Sequence, residues 1–211
     1  MVDWLIGLDH EIILALNSMH TPFRDAVMLF LSSSKAWIPL YVLIAVLMFV
    51  PRWYGRRSVA FRYGTKVPLL VLGLTGVLAA ALCFGITDQL TNIVKNLVER
   101  PRPGHDPLLE GMLHLPQGTG GQYGFFSAHA SNTFGLAVLT ALIFRRCPYT
   151  WIMLLWAAAV SFSRIYLARH FVTDVLCGAL FGVLAAFIVY WGYRYILGLI
   201  SVKYDRNAVL Y

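Results

Sequence analysis

Long stretches without charge alternate with short polar segments along this chain. Asp, Glu, Lys and Arg are absent from 36–51, 67–87, 130–144, 147–163 and 175–193. A helix that crosses a bilayer needs about 20 mostly apolar residues, and some of these stretches are marginal at one end. The pattern predicts an all-α integral membrane bundle with five spans, near 36–51, 67–95, 128–145, 149–168 and 174–195.

The first 34 residues differ, because charged residues interrupt the apolar ones. Asp9 and Glu11 stand among Trp4, Leu5, Leu8 and Ile12. This mixture predicts an amphipathic helix in the membrane interface. A second short helix, shallow or re-entrant, is expected over 22–35. If the first helix instead crosses the bilayer, the bundle has six spans and the N-terminus is cytoplasmic.

The composition indicates that lipid is the solvent of a single domain. Of 211 residues, 59% are hydrophobic and only 13% are charged, whereas soluble proteins are about one-quarter charged. We therefore expect one membrane domain over 1–211, with interfacial helices within 1–34.

The net charge of +7 raises the possibility of a nucleic-acid partner, but its distribution argues against one. With five spans, ten basic residues fall on one side: Arg52, Arg56, Arg57, Arg62, Lys66, Arg145, Arg146, Arg194, Lys203 and Arg206. The positive-inside rule makes that side, with the C-terminus, cytoplasmic. The seven others lie on the outer side, where the rule disfavours them: Arg24, Lys35, Lys95, Arg100, Arg102, Arg164 and Arg169.

The first of three polar segments on the outer side is KNLVERPRPG, residues 95–104. Pro101 and Pro103 disfavour helical geometry in the residues before them, so the helix is expected to end near Glu99. Lys95 then lies in its last turn and Arg102 on the following loop. Alone, these cations are more typical of an ordinary helix end, with side chains that reach toward water.

The second segment, GFFSAHASNTFG, begins the third span. Ser127 is a candidate N-cap, and the free amides that follow it at Ala128 and His129 would attract an anion such as phosphate. Alone, the segment is equally well explained as a capped helix with an interfacial histidine.

The third segment, SRIYLARHFVTD, joins the last two spans. His170 and Asp174 are four positions apart, so they share a face if the stretch is helical. The carboxylate could then fix one imidazole nitrogen and leave the other free to react. A surface ion-pair cluster at a helix start is the alternative.

Together the three segments point to a functional site, because ionisable groups at membrane depth are costly. Topology brings one set of residues to the outer face: Lys95, Arg102, Ser127, His129, Arg164, His170 and Asp174. Three cations beside free helix amides suit phosphate better than carboxylate. Arg100 and Arg169 are expected to be structural or steering charges, and His105 and His114 to be incidental.

These segments resemble the three motifs of the type-2 phosphatidic acid phosphatase superfamily, the membrane lipid phosphate phosphatases. The family's K-x6-R-P corresponds to Lys95 through Arg102 and Pro103, and its S-R-x5-H-x3-D to Ser163 through Asp174. Its P-S-G-H is matched only in part by FSAH. Phe126 replaces the proline and Ala128 the glycine. If residue 128 needs a positive φ, alanine alters the phosphate cradle; if it lies in the first helical turn, alanine has no cost, and we favour this second case.

The resemblance implies a mechanism. His170 attacks phosphorus and forms a phosphohistidine, Asp174 orients it, and His129 protonates the leaving oxygen and then activates water. Lys95, Arg102, Arg164, Ser127 and the amides near Ala128 and His129 would hold the phosphoryl oxygens. No metal or other cofactor is expected, because fixed cations supply the positive charge.

The resemblance also implies a phospholipid or polyprenyl phosphate substrate: undecaprenyl diphosphate, phosphatidylglycerol phosphate, phosphatidic acid or a lipid A phosphate. It suggests a bacterial inner-membrane enzyme whose active site faces the periplasm. Residues 104–126, the outer loop, would lie over that site, and the loop's glycines suggest a mobile lid.

Other classes stay open. Vanadium haloperoxidases carry the same motifs but are soluble. An anion transporter or a non-catalytic lipid-phosphate-binding protein could also place cations at a helix end. A metal site at His129, His170 and Asp174 is conceivable, although nearby cations would repel a metal ion. The sequence leaves the substrate and the oligomeric state open.

Overall fold

The structure is a computed structural model that describes residues 2–64 and 66–208. For 2, 3 and 205–208 it describes the backbone alone, so the side chain of Arg206, predicted to be cytoplasmic, lies outside the described residues, as does the end of the domain predicted over 1–211. The α-helices are α1 (Val2–Ser18), α2 (Pro22–Ser32), α3 (Ile38–Leu47), α4 (Val59–Tyr63), α5 (Leu69–Val98), α6 (Ala128–Phe144), α7 (Cys147–Tyr166) and α8 (Val172–Ala208).

The predicted all-α class is confirmed, since the described residues form helices and turns with one isolated β-bridge, between Pro101 and Tyr123. Among them, α5 and α8 are long and apolar enough to cross a membrane. A third span results if α2 and the segment Ser34–Leu47, which meet at a bend of 62°, count as one. The predicted helices near 128–145 and 149–168 are present as α6 and α7, whereas the five-span count stays a prediction.

Helix α6 lies at the centre of the bundle, packed against α5, α7 and most extensively α8. Two glycines of α8 permit this close approach. A Cβ at Gly178 would lie 2.6 Å from the Ser127 carbonyl oxygen, and one at Gly182 would overlap the Ser131 carbonyl. Small residues of this kind let membrane helices bring their backbones together. The contact sets the N-terminus of α6 against the N-terminus of α8.

The N-terminal helix α1 packs against α7 and α8 at the same end of the bundle. Ile13 is fully buried in a small apolar cluster with Ile165 and Phe171, whereas Trp4 and Leu5 are exposed. One side of α1 thus belongs to the core and another is free to contact lipid. Its position in the interface, as opposed to a sixth span, stays a prediction.

The outer loop is tied down at several points. Leu109 is buried in the same cluster as Ile13, and Arg169 donates hydrogen bonds to the carbonyls of Gln117 and Gly118 at 3.2 and 3.1 Å. Leu108 and Met112 are exposed. Arg169 is therefore a structural charge, as expected, and the lid function of the loop stays a prediction.

Candidate active site

The first motif has the predicted geometry. Helix α5 ends at Val98, and Glu99 caps it in the left-handed conformation, with its amide donating to the Lys95 carbonyl. Lys95 thus lies in the last turn. Arg102 follows on an extended loop, and both its backbone and its side chain are held by hydrogen bonds. Its amide donates to the Gln122 carbonyl and its Nε to the Tyr123 carbonyl, each at 3.0 Å.

The second motif begins α6 as expected. Ser127 is the N-cap, and its hydroxyl accepts a hydrogen bond from the Ala130 amide. Ala128 is the first helical residue, and its φ is not positive. Alanine therefore fits this position without strain, as predicted. His129 faces α2, where its Nε2 lies 3.2 Å from the Ser32 carbonyl and 3.4 Å from the Ser34 hydroxyl.

The third motif meets in a different way from the one predicted. His170 lies in the turn before α8, so it and Asp174 do not share a helical face. They approach because Asp174, in the first turn of α8, folds back and accepts from the Phe171 amide at 3.0 Å. This is half of a capping box. The His170 Nδ1 then lies 3.7 Å from the Asp174 carboxylate.

Four helix ends bring the three motifs together: the C-termini of α5 and α7 and the N-termini of α6 and α8. Ser127, Arg164, His170 and Asp174 are all buried. Burial lowers the pKa of His170 well below 6.5, and the positive charges of Arg164, Arg102 and Lys95 lower it further. The three cations predicted from the first and third motifs therefore lie close enough to one imidazole to lower its pKa.

Two buried polar atoms of this cluster have no hydrogen-bond partner among the described residues, Arg164 Nε and His170 Nδ1. Arg164 Nη1 donates to the Ser32 hydroxyl. Buried polar groups in proteins are normally paired. Arg164 Nε is therefore a donor that a bound oxyanion could use, whereas His170 Nδ1 faces the Asp174 carboxylate.

Sequence reasoning missed the partners of Asp174. Arg100 donates to the Asp174 carboxylate at 2.7 Å and to the buried Asp9 of α1 at 2.8 Å. Asp9 in turn accepts from the Thr173 amide at 3.0 Å. The expectation that Arg100 is structural is correct only in part, because the residue it holds is Asp174 itself. The available signal was a second arginine directly before Pro101, two positions from Arg102; nothing pointed to Asp9.

The expectation that His114 is incidental is wrong. Its Nε2 lies 2.8 Å from the Asp25 carboxylate, and its ring stacks on His20 with centroids 4.1 Å apart. His105, by contrast, makes one contact with the Gly120 carbonyl at 3.2 Å.

An apolar groove leads away from His129. A cavity of about 240 Å³ is bounded by Ser32, Trp37, Asp88 and His129, among others. Next to it is an apolar cavity of about 380 Å³ between α3, α5 and α6. The two share Tyr41, Phe84, Asn132 and Thr133 in their walls. We call them together the lateral groove.

The fold and site define a class of helical membrane proteins that gather cations and histidines at one end of a bundle. The chain belongs to the PAP2 superfamily, which it matches over residues 70–197. This confirms the resemblance drawn from the three motifs.

Similar proteins include two named lipid A 4'-phosphatases. The one from Porphyromonas gingivalis is 30% identical, over 92% of this chain and 76% of its own length. The one from Bacteroides thetaiotaomicron is 29% identical, over 90% and 79%. Among solved structures, a PAP2-type phosphatidylglycerolphosphate phosphatase from Bacillus subtilis has a TM-score of 0.61 at 26% identity, covering 87% of this chain and 83% of that one.

Proposed function

We propose that this protein removes a phosphate group from a membrane lipid by way of a phosphohistidine at His170. A lipid A phosphate is the first substrate to test, because relatives of that name align with nearly the whole chain. Phosphatidylglycerol phosphate, phosphatidic acid and undecaprenyl diphosphate are the alternatives. The site would face the outer side of a bacterial inner membrane, since the basic loops lie at the other end.

The observation that carries the proposal is the setting of His170. Its Nδ1 side faces Asp174 at 3.7 Å, which leaves Nε2 as the nucleophilic atom if the proton resides on Nδ1. The positive charges of Arg164, Arg102 and Lys95 act on the same ring and lower its pKa. Nucleophilic catalysis by histidine needs a group that orients the imidazole, and Asp174 can have that role. The nearby cations would attract the phosphate to the same ring.

In the first step, His170 Nε2 forms a bond to phosphorus as the bond from phosphorus to the lipid oxygen breaks. His129 gives that oxygen a proton, so the lipid leaves as an alcohol. If the substrate is a diphosphate, the leaving group is the lipid monophosphate. Asp174 stabilises the positive charge on the modified imidazole. The negative charge of the phosphoryl group stabilises the protonated form of His129.

In the second step, His129 takes a proton from water, and the water oxygen attacks phosphorus. The phosphorus–nitrogen bond breaks, inorganic phosphate leaves and His170 is regenerated. Lys95, Arg102 and Arg164 stabilise the charge on the phosphoryl oxygens in both steps, with the Ser127 hydroxyl and the first amides of α6. These residues perform each step without a metal ion.

The lateral groove supports a lipid substrate. Its polar part contains His129 and its apolar part continues between helices that carry exposed apolar side chains such as Leu43 and Leu78. A headgroup phosphate at His129 would leave an acyl or prenyl chain in the apolar part. A transported inorganic anion would have no use for such a groove.

Phosphate release from a panel of the four lipids in detergent tests the proposal. The parent protein should release phosphate, and His170→Asn should not. With lipid A, mass spectrometry of the product identifies which phosphate is lost. Brief assays in the presence of a chelator should give the same initial rate. Lipid binding without release by the parent would overturn the proposal and favour a non-catalytic lipid-binding protein.

A matched pair of substitutions tests the groove. Ala80 lies in its apolar wall, whereas Ala158 of α7 is exposed away from it. Ala80→Trp should raise the KM for a long-chain lipid phosphate severalfold and leave a water-soluble phosphate ester unaffected. Ala158→Trp should change neither. Equal effects of both substitutions, or none from Ala80→Trp, would show that lipid chains bind elsewhere.

A further inference from the structure

Three side chains that commonly bind metals meet beside the outer loop, and none belongs to the phosphate-binding set. They are His20 between α1 and α2, Asp25 in α2, and His114 in the outer loop. Their ligand atoms all lie within 4.8 Å of one another. We propose that they form a binding site for one divalent d-block cation, Zn²⁺ in the first place. The proposal goes beyond the hydrolytic function and does not depend on it.

The backbone holds His114 in position before any ion arrives. Asn17 is buried in α1. Its Oδ1 accepts from the His114 amide at 2.7 Å, and its Nδ2 donates to the His114 carbonyl at 2.9 Å. The imidazole therefore starts from a fixed Cα. Its ring already reaches Asp25, with 2.8 Å between Nε2 and Oδ2.

The carboxylate is oriented in the same way. The Tyr166 hydroxyl, at the end of α7, donates to Asp25 Oδ1 at 3.0 Å. Oδ2 is thereby turned toward His114. Hydrogen bonds of this kind, made to the second oxygen or nitrogen of a ligand, orient the ligands of natural metal sites. Asn17 and Tyr166 would have that role here.

The donor set selects the metal. Two imidazoles and one carboxylate suit Zn²⁺ and its neighbours, whereas Ca²⁺ and Mg²⁺ require oxygen ligands. A tetrahedral zinc ion with bonds of about 2.0–2.1 Å holds its ligand atoms roughly 3.3 Å apart. The His114–Asp25 pair would separate slightly, and exposed His20 would rotate from its stacked position to complete three ligands.

A metal ion binds the lone pair of a neutral imidazole, so any proton on His114 Nε2 would leave to solvent on binding. A water molecule can take the fourth position, since His20 is exposed and Asp25 and His114 are only partly buried. The neighbouring cation is Arg24, whose guanidinium is held by the Met19 carbonyl at 2.7 Å. One formal negative charge from Asp25 partly offsets it.

The consequence would be a metal link between separate parts of the outer end. His20 and Asp25 belong to the α1–α2 region, His114 belongs to the outer loop, and Tyr166 lies two residues beyond Arg164. Zinc would fix the loop to the helices beneath it and would take no part in catalysis.

The test uses the full chain in detergent, stripped with a chelator and then equilibrated with Zn²⁺. Zinc content is measured after removal of free metal, affinity by titration, and stability by thermal unfolding with and without Zn²⁺. The variants are His20→Ala and His114→Ala, with His105→Ala as the matched control in the same loop. The hydrogen bonds between Asn17 and His114 involve the backbone of His114, so His114→Ala keeps them. Co²⁺ in place of Zn²⁺ gives a visible absorption spectrum that reports imidazole ligation.

We expect one Zn²⁺ per chain and a raised unfolding temperature for the parent and for His105→Ala. His20→Ala and His114→Ala should bind at least tenfold more weakly and lose the stabilisation and the Co²⁺ spectrum. Chelator should lower the unfolding temperature of the parent. At assay temperatures below the range in which the protein unfolds, chelator should leave the initial rate of hydrolysis unchanged. A parent that binds no Zn²⁺, or variants at His20 and His114 that bind as the parent does, would overturn the proposal.

Discussion

Arg100 connects the N-terminal helix to the candidate nucleophile, and its removal gives a sharp test of the site. Arg100→Met keeps an unbranched apolar stem and deletes the guanidinium with its charge. Two buried carboxylates, Asp9 and Asp174, then lose their cation, and the guanidinium no longer covers the Phe171 ring, which it now approaches to 4.4 Å. Asp174 retains one donor, the Phe171 amide, at 3.0 Å.

Breaking a buried ion pair by removing one partner costs about 3–5 kcal/mol. The Arg100 side chain is 21% exposed, so we take the lower end, about 3 kcal/mol. If all of it falls on the positioning of Asp174, turnover drops roughly a hundredfold, since each tenfold corresponds to about 1.4 kcal/mol. If it falls on the folded state, the unfolding temperature drops instead. Because Arg100 pairs with Asp174, we expect kcat to fall with little change in KM.

The assay is phosphate release and thermal unfolding in detergent for Arg100→Met, Asp174→Asn and the double variant. Groups that act through each other are non-additive, so Arg100→Met should cost much less once Asp174 has lost its charge. Asp9→Asn is the control: it breaks the other ion pair of Arg100 but leaves the Arg100–Asp174 contact intact, so it should lower the unfolding temperature and leave kcat near the parental value. Parental kcat and stability in Arg100→Met, or fully additive losses in the double variant, would refute the positioning role.

Three further predictions concern other features of the site. Burial and the nearby cations lower the pKa of His170 below 6.5, so just below that pH the unfolded chain binds more protons than the folded one. The free energy of unfolding should therefore fall as the pH falls through 6.5. A plot of that free energy against pH should be less steep for His170→Asn. Ala128→Gly should leave turnover unchanged and reduce stability by about 0.5–1 kcal/mol, because residue 128 is helical; a large gain in turnover would show that the cradle needs left-handed geometry. Gly182→Ala should destabilise the folded chain by about 1–3 kcal/mol, because the added Cβ would overlap the Ser131 carbonyl. Gly192→Ala is the control, since no atom lies within 4 Å of the position of its Cβ. Equal unfolding temperatures for the two variants would contradict the close packing of α6 against α8.

The residues that carry the site were predictable because each follows from local rules. The prolines at 101 and 103 end α5 beside Lys95, and Ser127 begins α6 as its cap. Hydrophobic runs fixed the order of the helices, and order alone placed the three motifs at one end. The His170–Asp174 approach was predicted for the wrong reason: a capping carboxylate, not a shared helical face, brings the pair together.

The contacts that were missed all join distant positions. Arg100 and Asp9 are 91 residues apart, Arg164 and Ser32 are 132 apart, and His114 and Asp25 are 89 apart. No periodicity or spacing records such pairings, because they depend on how α1 and α2 pack against the remaining helices. For the same reason His114 looked incidental, since each of its partners comes from the first 25 residues.

The bond between Asp9 and the Thr173 amide has a consequence for biogenesis. The two residues are 164 positions apart, so the ribosome must reach the start of α8 before α1 can meet this partner. Until then Asp9 lacks its donor from Thr173, and its available partner is Arg100, which follows α5. An amphipathic helix can wait in the interface in this state, whereas a wholly apolar one would insert. The contact between α1 and α8 beside Asp174 can therefore form only after the start of α8 has been synthesised.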